Sequence, residues 1–95
     1  MIYEKHLNSS ASLAKQLSSL DGDAGVRVLG AYKGVRCIAF TTRFHERYTV
    51  IVHEAEGRGV RTPGKELASM EFDGVASVMA FLRSVAGKSV DAYAY

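Results

Sequence analysis

Residues 26–54 read VRVLGAYKGVRCIAFTTRFHERYTVIVHE, and this stretch decides the fold. It contains three runs rich in Val, Ile, Thr, Phe and Tyr, which are residues that favour strands. The runs are Val26–Tyr32, Val35–Thr42 and Arg47–Glu54. Lys33 and Gly34 fit a two-residue hairpin loop, because glycine tolerates positive φ. Arg43–Glu46 is expected to form a longer loop, so the stretch predicts an antiparallel meander.

A helix is predicted on each side of this meander. In residues 9–20, Leu13, Leu17 and Leu20 fall on one helical face, and Ser9 or Ser10 is suited to cap the first turn. In residues 74–85, the apolar positions follow the spacing of a buried helical stripe, and they are Val75, Val78, Met79, Leu82 and Val85. Asp73 is expected to cap this helix, and Gly87 suits the position just past its end.

The region between the meander and the second helix is turn-rich. Residues 55–65 contain three glycines and the only proline. A short strand is possible at Val60–Thr62 and a further strand at Leu67–Phe72. The predicted fold is therefore α+β, with the order helix, antiparallel meander of three to five strands, helix. Both helices are expected on one face of the sheet, because so short a chain has room for a single core.

Composition limits the class of protein. The chain has 95 residues, of which 47% are hydrophobic and 23% charged, as in an ordinary globular protein. We interpret residues 1–95 as a single domain. Cys37 is the only cysteine, which excludes an intramolecular disulfide and a cysteine-rich zinc site. The first residues lack a signal-peptide pattern and no apolar run is long enough to cross a membrane, so a cytoplasmic location without membrane binding is expected.

Charge is distributed unevenly along the chain. Residues 26–65 carry eight Lys or Arg against three acidic residues, whereas the remaining residues carry four basic and seven acidic ones. A basic middle indicates an acidic partner for that region. The excess is too small to require a nucleic acid.

Hairpin loops fix which residues lie opposite each other, so the two faces of the meander are predictable. A loop at Arg43–Glu46 would place Thr42 opposite Arg47 and Cys37 opposite Val52. One face, here called the helix face, is then expected to form the core. Its members are Val26, Val28, Tyr32, Val35, Cys37, Ala39, Tyr48, Val50 and Val52.

The opposite face, here called the outer face, is unusually apolar for the solvent side of a small antiparallel sheet. Its predicted contact residues are Arg27, Leu29, Arg36, Ile38, Phe40, Arg47, Ile51 and His53. In the predicted register Leu29, Ile38 and Ile51 form a row across the strands. Contiguous apolar surface with arginines around it is typical of a binding site. The alternative is that the chain's own ends, residues 1–8 or 89–95, cover this face.

Residues with catalytic or metal-binding potential do not form a convincing set. Cys37 with His45 or His53 would be a nucleophile and a base, but the predicted register places Cys37 and His53 on opposite faces. The three histidines lack metal-binding spacing on a helix. We therefore predict no catalytic residue, no metal and no cofactor.

These observations favour a non-enzymatic protein-interaction module that binds a partner, or a second copy of itself, through the outer face. The alternative is weak nucleic-acid binding by the basic middle, with Arg43, Arg58 and Arg61 as additional contacts. A small enzyme is the third possibility, and no combination of nucleophile, base and orienting residue supports it.

Overall fold

A computed structural model gives the fold of residues 5–55 and 63–95, which are the residues that the structure describes. Within these two ranges six strands and two helices follow one another. They are β1 (Lys5–Leu7), α1 (Ser10–Ser18), β2 (Gly25–Tyr32), β3 (Val35–Phe44), β4 (Arg47–Ala55), β5 (Pro63–Phe72), α2 (Val75–Ala86) and β6 (Ala92–Ala94). The strands form one antiparallel sheet in the order β1-β6-β2-β3-β4-β5. The α+β class is confirmed.

The prediction of three to five strands is wrong, because the two chain ends contribute strands of their own. β6 pairs with β2 on one side and with β1 on the other, so residues 5–7 and 92–94 extend the sheet beyond β2. The possible strand at Val60–Thr62 lies outside the described residues. The strand predicted at Leu67–Phe72 is present as the second half of β5.

The register of β3 and β4 differs from the predicted one by two residues. The predicted loop at Arg43–Glu46 is wrong, since β3 continues to Phe44 and Phe44 lies opposite Arg47. Only His45 and Glu46 remain in the turn, and His45 adopts a positive φ of 57°. A tight two-residue turn favours such a conformation, which a non-glycine residue adopts at a cost. Because the shift is an even number of residues, every side chain keeps its predicted face.

The ends of the helices follow local hydrogen bonding. Ser9 caps α1, since its hydroxyl accepts a hydrogen bond from the Ser12 amide. The Ser12 hydroxyl in turn accepts one from the Ser9 amide. The predicted cap at Asp73 is wrong: Gly74 occupies the N-cap of α2 without a side-chain hydrogen bond. The Asp73 carboxylate lies instead 3.3 Å from Nε of Arg47. Gly87 ends α2 with a φ of 74°, as its predicted position requires.

The core lies between the helix face and the two helices. Leu13 and Leu17 of α1 and Val78 and Leu82 of α2 are fully buried, and they share one cluster with the helix-face side chains of the sheet. Burial of each such side chain contributes on the order of 1.5–3 kcal/mol. The Tyr48 hydroxyl donates a 2.7 Å hydrogen bond to the Leu17 carbonyl, which attaches α1 to β4. Val35 departs from the prediction, because it is 41% exposed at the end of the sheet.

Gly30 marks the closest approach between α2 and the sheet. A Cβ atom at this position would overlap the backbone carbonyl of Val85 in α2. The absence of a side chain at Gly30 therefore lets the helix backbone lie directly on β2.

Candidate interaction face

The outer face is built from alternate residues of the strands. Arg27 and Leu29 of β2 lie opposite Phe40 and Ile38 of β3, respectively. Because the β3–β4 register is shifted, Phe40 lies opposite Ile51 and Ile38 lies opposite His53. The predicted row of Leu29, Ile38 and Ile51 is therefore wrong. Two adjacent rows replace it, and they are Leu29–Ile38–His53 and Arg27–Phe40–Ile51.

Burial divides these side chains into a centre and a rim. Ile38 has 0% exposure, so it is not available to a partner as an exposed residue. Leu29, Phe40, Ile51 and His53 around it are each half-buried. A partner on this face would therefore meet the accessible parts of a ring of half-buried side chains around a buried isoleucine.

His53 links the outer face to β5. Its Nδ1 lies 3.0 Å from the Gly64 carbonyl, and its ring meets the Phe40 ring edge-on at 5.6 Å between centroids. Edge-to-face aromatic pairs of this kind attract each other by about 0.5–1.5 kcal/mol. The His53–Phe40 pair therefore connects β3, β4 and β5 on this surface.

Charged residues of both signs surround this centre. Arg36 and Arg47 are exposed, and the Arg47–Asp73 pair lies in solvent, where such a pair contributes about 0–1 kcal/mol. Two exposed acidic residues of β5, Glu66 and Glu71, lie opposite His53 and Thr49. The outer face is thus basic along β2 and β3 and acidic along β5.

The last strand adds aromatic residues that the sequence interpretation did not assign to this face. Tyr93 lies opposite Arg27, whose guanidinium carbon is 5.2 Å from the centre of the tyrosine ring. His6 of β1, on the other side of β6, stacks on the Tyr93 ring with 4.8 Å between the ring centroids. Its Nε2 lies 2.8 Å from Oδ1 of Asp91. The alternation Ala92-Tyr93-Ala94-Tyr95 is the sequence signal that could have predicted this strand.

Two further aromatic side chains lie at the margin of the outer face. Tyr95 follows β6, exchanges backbone hydrogen bonds with Gly25 and is 40% exposed. Phe44, which belongs to the end of β3 and not to the predicted loop, is 74% exposed. Residues 5–7 and 92–94 lengthen the sheet, residues 1–4 of the predicted cover lie outside the described residues, and within residues 5–55 and 63–95 neither helix lies on the outer face.

The residues predicted for nucleic-acid contact are not assembled with this face. Arg43 belongs to the helix-face side of β3, where its guanidinium donates hydrogen bonds to the carbonyls of Ser18 and His45. It also lies 5.5 Å from the Tyr48 ring. These contacts occupy Arg43, so it is not an open cation. Arg58 and Arg61 lie outside the described residues.

The reactive side chains are separated from one another. Cys37 is buried on the helix face opposite Gly30 and Glu54, and this burial raises the pKa of its thiol. His53 points to the outer face and His45 lies in the β3–β4 turn, so neither imidazole meets the thiol. In the described part of the chain no group of three or more His, Cys, Asp or Glu side chains is placed to hold a metal ion.

Comparison with known proteins adds no relationship: no family model, curated protein or solved structure matches this chain. Among the described residues, neither helix has the length and apolar character needed to cross a membrane.

Proposed function

We propose that this chain is a non-enzymatic protein-interaction module whose outer face binds a partner protein. The observation that carries the proposal is the ring of half-buried Leu29, Phe40 and Ile51 around fully buried Ile38. Contiguous apolar surface of this kind is typical of contact sites in small proteins. A cytoplasmic location and the absence of a cofactor remain predictions from the sequence.

The energetics favour a partner with apolar and acidic groups. Removing apolar surface from water is worth about 25 cal/mol per Å². Arg36 can lay its methylene stem along the apolar ring and keep its guanidinium group available to a carboxylate. Because Ile38 is already buried and His53 is held by Gly64, these two side chains lose little further entropy when the face binds.

Replacing Ile51 with aspartate tests this proposal. Ile51 is half-buried, so Ile51→Asp is expected to leave the circular dichroism spectrum and a cooperative unfolding transition intact. Affinity capture from cells of the source organism should recover a partner with the wild-type chain and lose it with Ile51→Asp. The matched control is Ala11→Asp, an exposed position of α1 on the other side of the sheet, which should retain the partner.

Two results would contradict the proposal. If Ile51→Asp retains every partner that the wild-type chain binds, the outer face is not the binding site. If Ala11→Asp loses the partner as well, helix α1 rather than the outer face makes the contact. An aspartate at Ile38 is unsuitable for this test, because that side chain is fully buried and the variant is expected to unfold.

A second candidate function is binding of single-stranded nucleic acid on the same face. The observation that favours it is that β6 brings Tyr93 beside the Arg27–Phe40 row, with Tyr95 and Phe44 at the margin. Several aromatic rings on a basic sheet face are typical of sequence-tolerant strand binding. The acidic residues of β5 oppose it. Titration of mixed-sequence oligonucleotides at two salt concentrations separates the candidates, since only nucleic-acid binding should weaken steeply with salt.

A further inference from the structure

The two edges of the sheet differ in length and protection. At one edge, β1 has three residues, and very short edge strands are poor templates for pairing. At the other edge, β5 has ten residues and pairs with β4 alone among the described strands. A strand of that length spans about 33 Å and presents a row of backbone amides and carbonyls on its open side.

The two halves of β5 are not equivalent. The first half contains both register shifts of the β4–β5 pair, together with Pro63, Lys65 and Glu66. Bulges, proline and charged residues are devices that prevent an edge strand from pairing. The second half, residues 68–72, is regular from Ala68 opposite Val52 to Phe72 opposite Tyr48. The regular half is therefore the segment that remains competent for pairing.

On the helix face, apolar side chains lie along the open edge of β5 and reach the start of α2. Leu67, Met70 and Phe72 of β5 and Val75 at the start of α2 are only partly buried at the margin of the core. The Phe72 ring is 5.6 Å from the Phe81 ring of α2, so strand edge and helix form one continuous border. No described strand pairs with this edge of β5, so the border offers both backbone groups and apolar area to an added strand.

We infer that the open edge of β5 binds the β5 of a second copy of this chain in an antiparallel pair centred on Met70. A two-fold axis perpendicular to the sheet keeps every side chain on its own face. Directly opposite residues of the two copies therefore differ by an even number of positions, so few registers are possible. Centring on Met70 sets Ala68 opposite the partner's Phe72 and Ser69 opposite the partner's Glu71. Apolar side chains then meet apolar ones, and no two carboxylates lie directly opposite.

Neighbouring registers are worse matched. Centring on Ser69 would set Glu71 opposite the partner's Leu67 and Phe72 opposite the partner's Glu66. Centring on Ala68 would place Met70 opposite the partner's Glu66, in the half that contains the register shifts. The Met70-centred pair keeps both copies' helices on one side of a continuous sheet of twelve strands. This dimer is independent of the proposed partner site on the outer face.

Solution mass and a designed crosslink test the dimer. The wild-type chain is expected at twice its mass of 10.3 kDa by light scattering or sedimentation. Met70→Lys should shift it to the single-copy mass, because a charge would lie in the apolar border. Ile51→Asp on the outer face should leave the dimer mass unchanged, so loss of the partner and loss of the dimer are distinguishable.

Disulfide crosslinking decides the register even if Met70→Lys fails to fold. In a Cys37→Ala background, Met70→Cys should crosslink on mild oxidation, since directly opposite Cα atoms lie about 4.5–5.5 Å apart, within the disulfide range. Glu66→Cys is the control, because its two copies would lie roughly 25 Å apart along the strands. A single-copy mass for the wild-type chain, or equal crosslinking at both positions, would overturn the inference.

Discussion

The helix face and the outer face of this sheet are built from the same strands, yet they bury their apolar residues in different ways. On the helix face Val26, Val28, Val50 and Val52 all have 0% exposure under two helices. On the outer face only Ile38 reaches that level, and its neighbours remain half-buried. Within residues 5–55 and 63–95 neither helix lies over Ile38, so helix packing is not what buries it.

The largest difference between the faces is expected at two glycines of β2. Gly30→Ala places a Cβ against the Val85 carbonyl on the helix face, so the backbone of α2 must move. Overpacking of this kind lowers the free energy of unfolding by about 1–3 kcal/mol. Because the obstacle here is backbone, the loss for Gly30→Ala is expected at the upper end of that range or beyond. For Gly25→Ala on the outer face the nearest atoms belong to the Tyr95 ring at 2.7–2.9 Å, which is the end of a side chain that can rotate away, so this variant should cost less than Gly30→Ala.

Urea denaturation of both variants measures this difference. Equal losses in the free energy of unfolding would mean that the two faces are packed with the same rigidity, which would remove the basis of the comparison.

A comparable effect is expected for the core side chains themselves. Leu82→Ala in α2 should lower the free energy of unfolding by about 2–5 kcal/mol, because Leu82 is fully buried and its neighbours cannot close the cavity. Met79→Ala, at a partly buried position of the same helix, is expected to cost less. Thermal or chemical denaturation measures both, and a larger loss for Met79→Ala would show that the buried stripe of α2 is misassigned.

Much of this contrast was predictable from residues 26–54. The rest was not predictable, and the causes are physical. The alternation of apolar residues assigns each side chain to a face, and an error of two residues in the β3–β4 loop left that assignment intact. The same error misplaced the partners of Ile38 and Ile51. Turn length depends on whether His45 accepts a positive φ, which composition alone does not decide.

The chain-end strands were missed for a different reason. Three-residue segments such as Lys5–Leu7 carry too little periodicity to be recognised. The alternation in residues 92–95 indicates a strand, but its pairing with β2 on one side and β1 on the other is a long-range contact that no local pattern predicts. Ile38 illustrates the corresponding limit for the candidate site: its face follows from alternation, but its full burial does not.

The smallest expected effect is a rate of chemical modification. Cys37 should react slowly with a thiol reagent in the native state and quickly after denaturation, since burial hinders access and raises its pKa. The comparison is Thr42→Cys in a Cys37→Ala background, which places a thiol at an exposed position of the outer face.

The same raised pKa has a consequence for stability. The folded state favours the neutral thiol, so the contribution of Cys37 to stability is present below the usual thiol pKa of 9.0 and is lost as the pH rises through the raised value.

In the labelling experiment, rapid reaction of native Cys37 at neutral pH would contradict its burial and would bring back a nucleophilic role.

The pairing of β1 with β6 has a consequence for how the chain folds. Lys5 and Ala94 are neighbours in the sheet although nearly the whole described sequence separates them, whereas β2 to β5 are joined by consecutive connections. The meander has low contact order and can form early, but β1 has no strand to pair with until β6 has docked on β2. During synthesis residues 5–7 must therefore wait for residues 92–94 to leave the ribosome, so among the six described strands β1 is made before the others but secured after them.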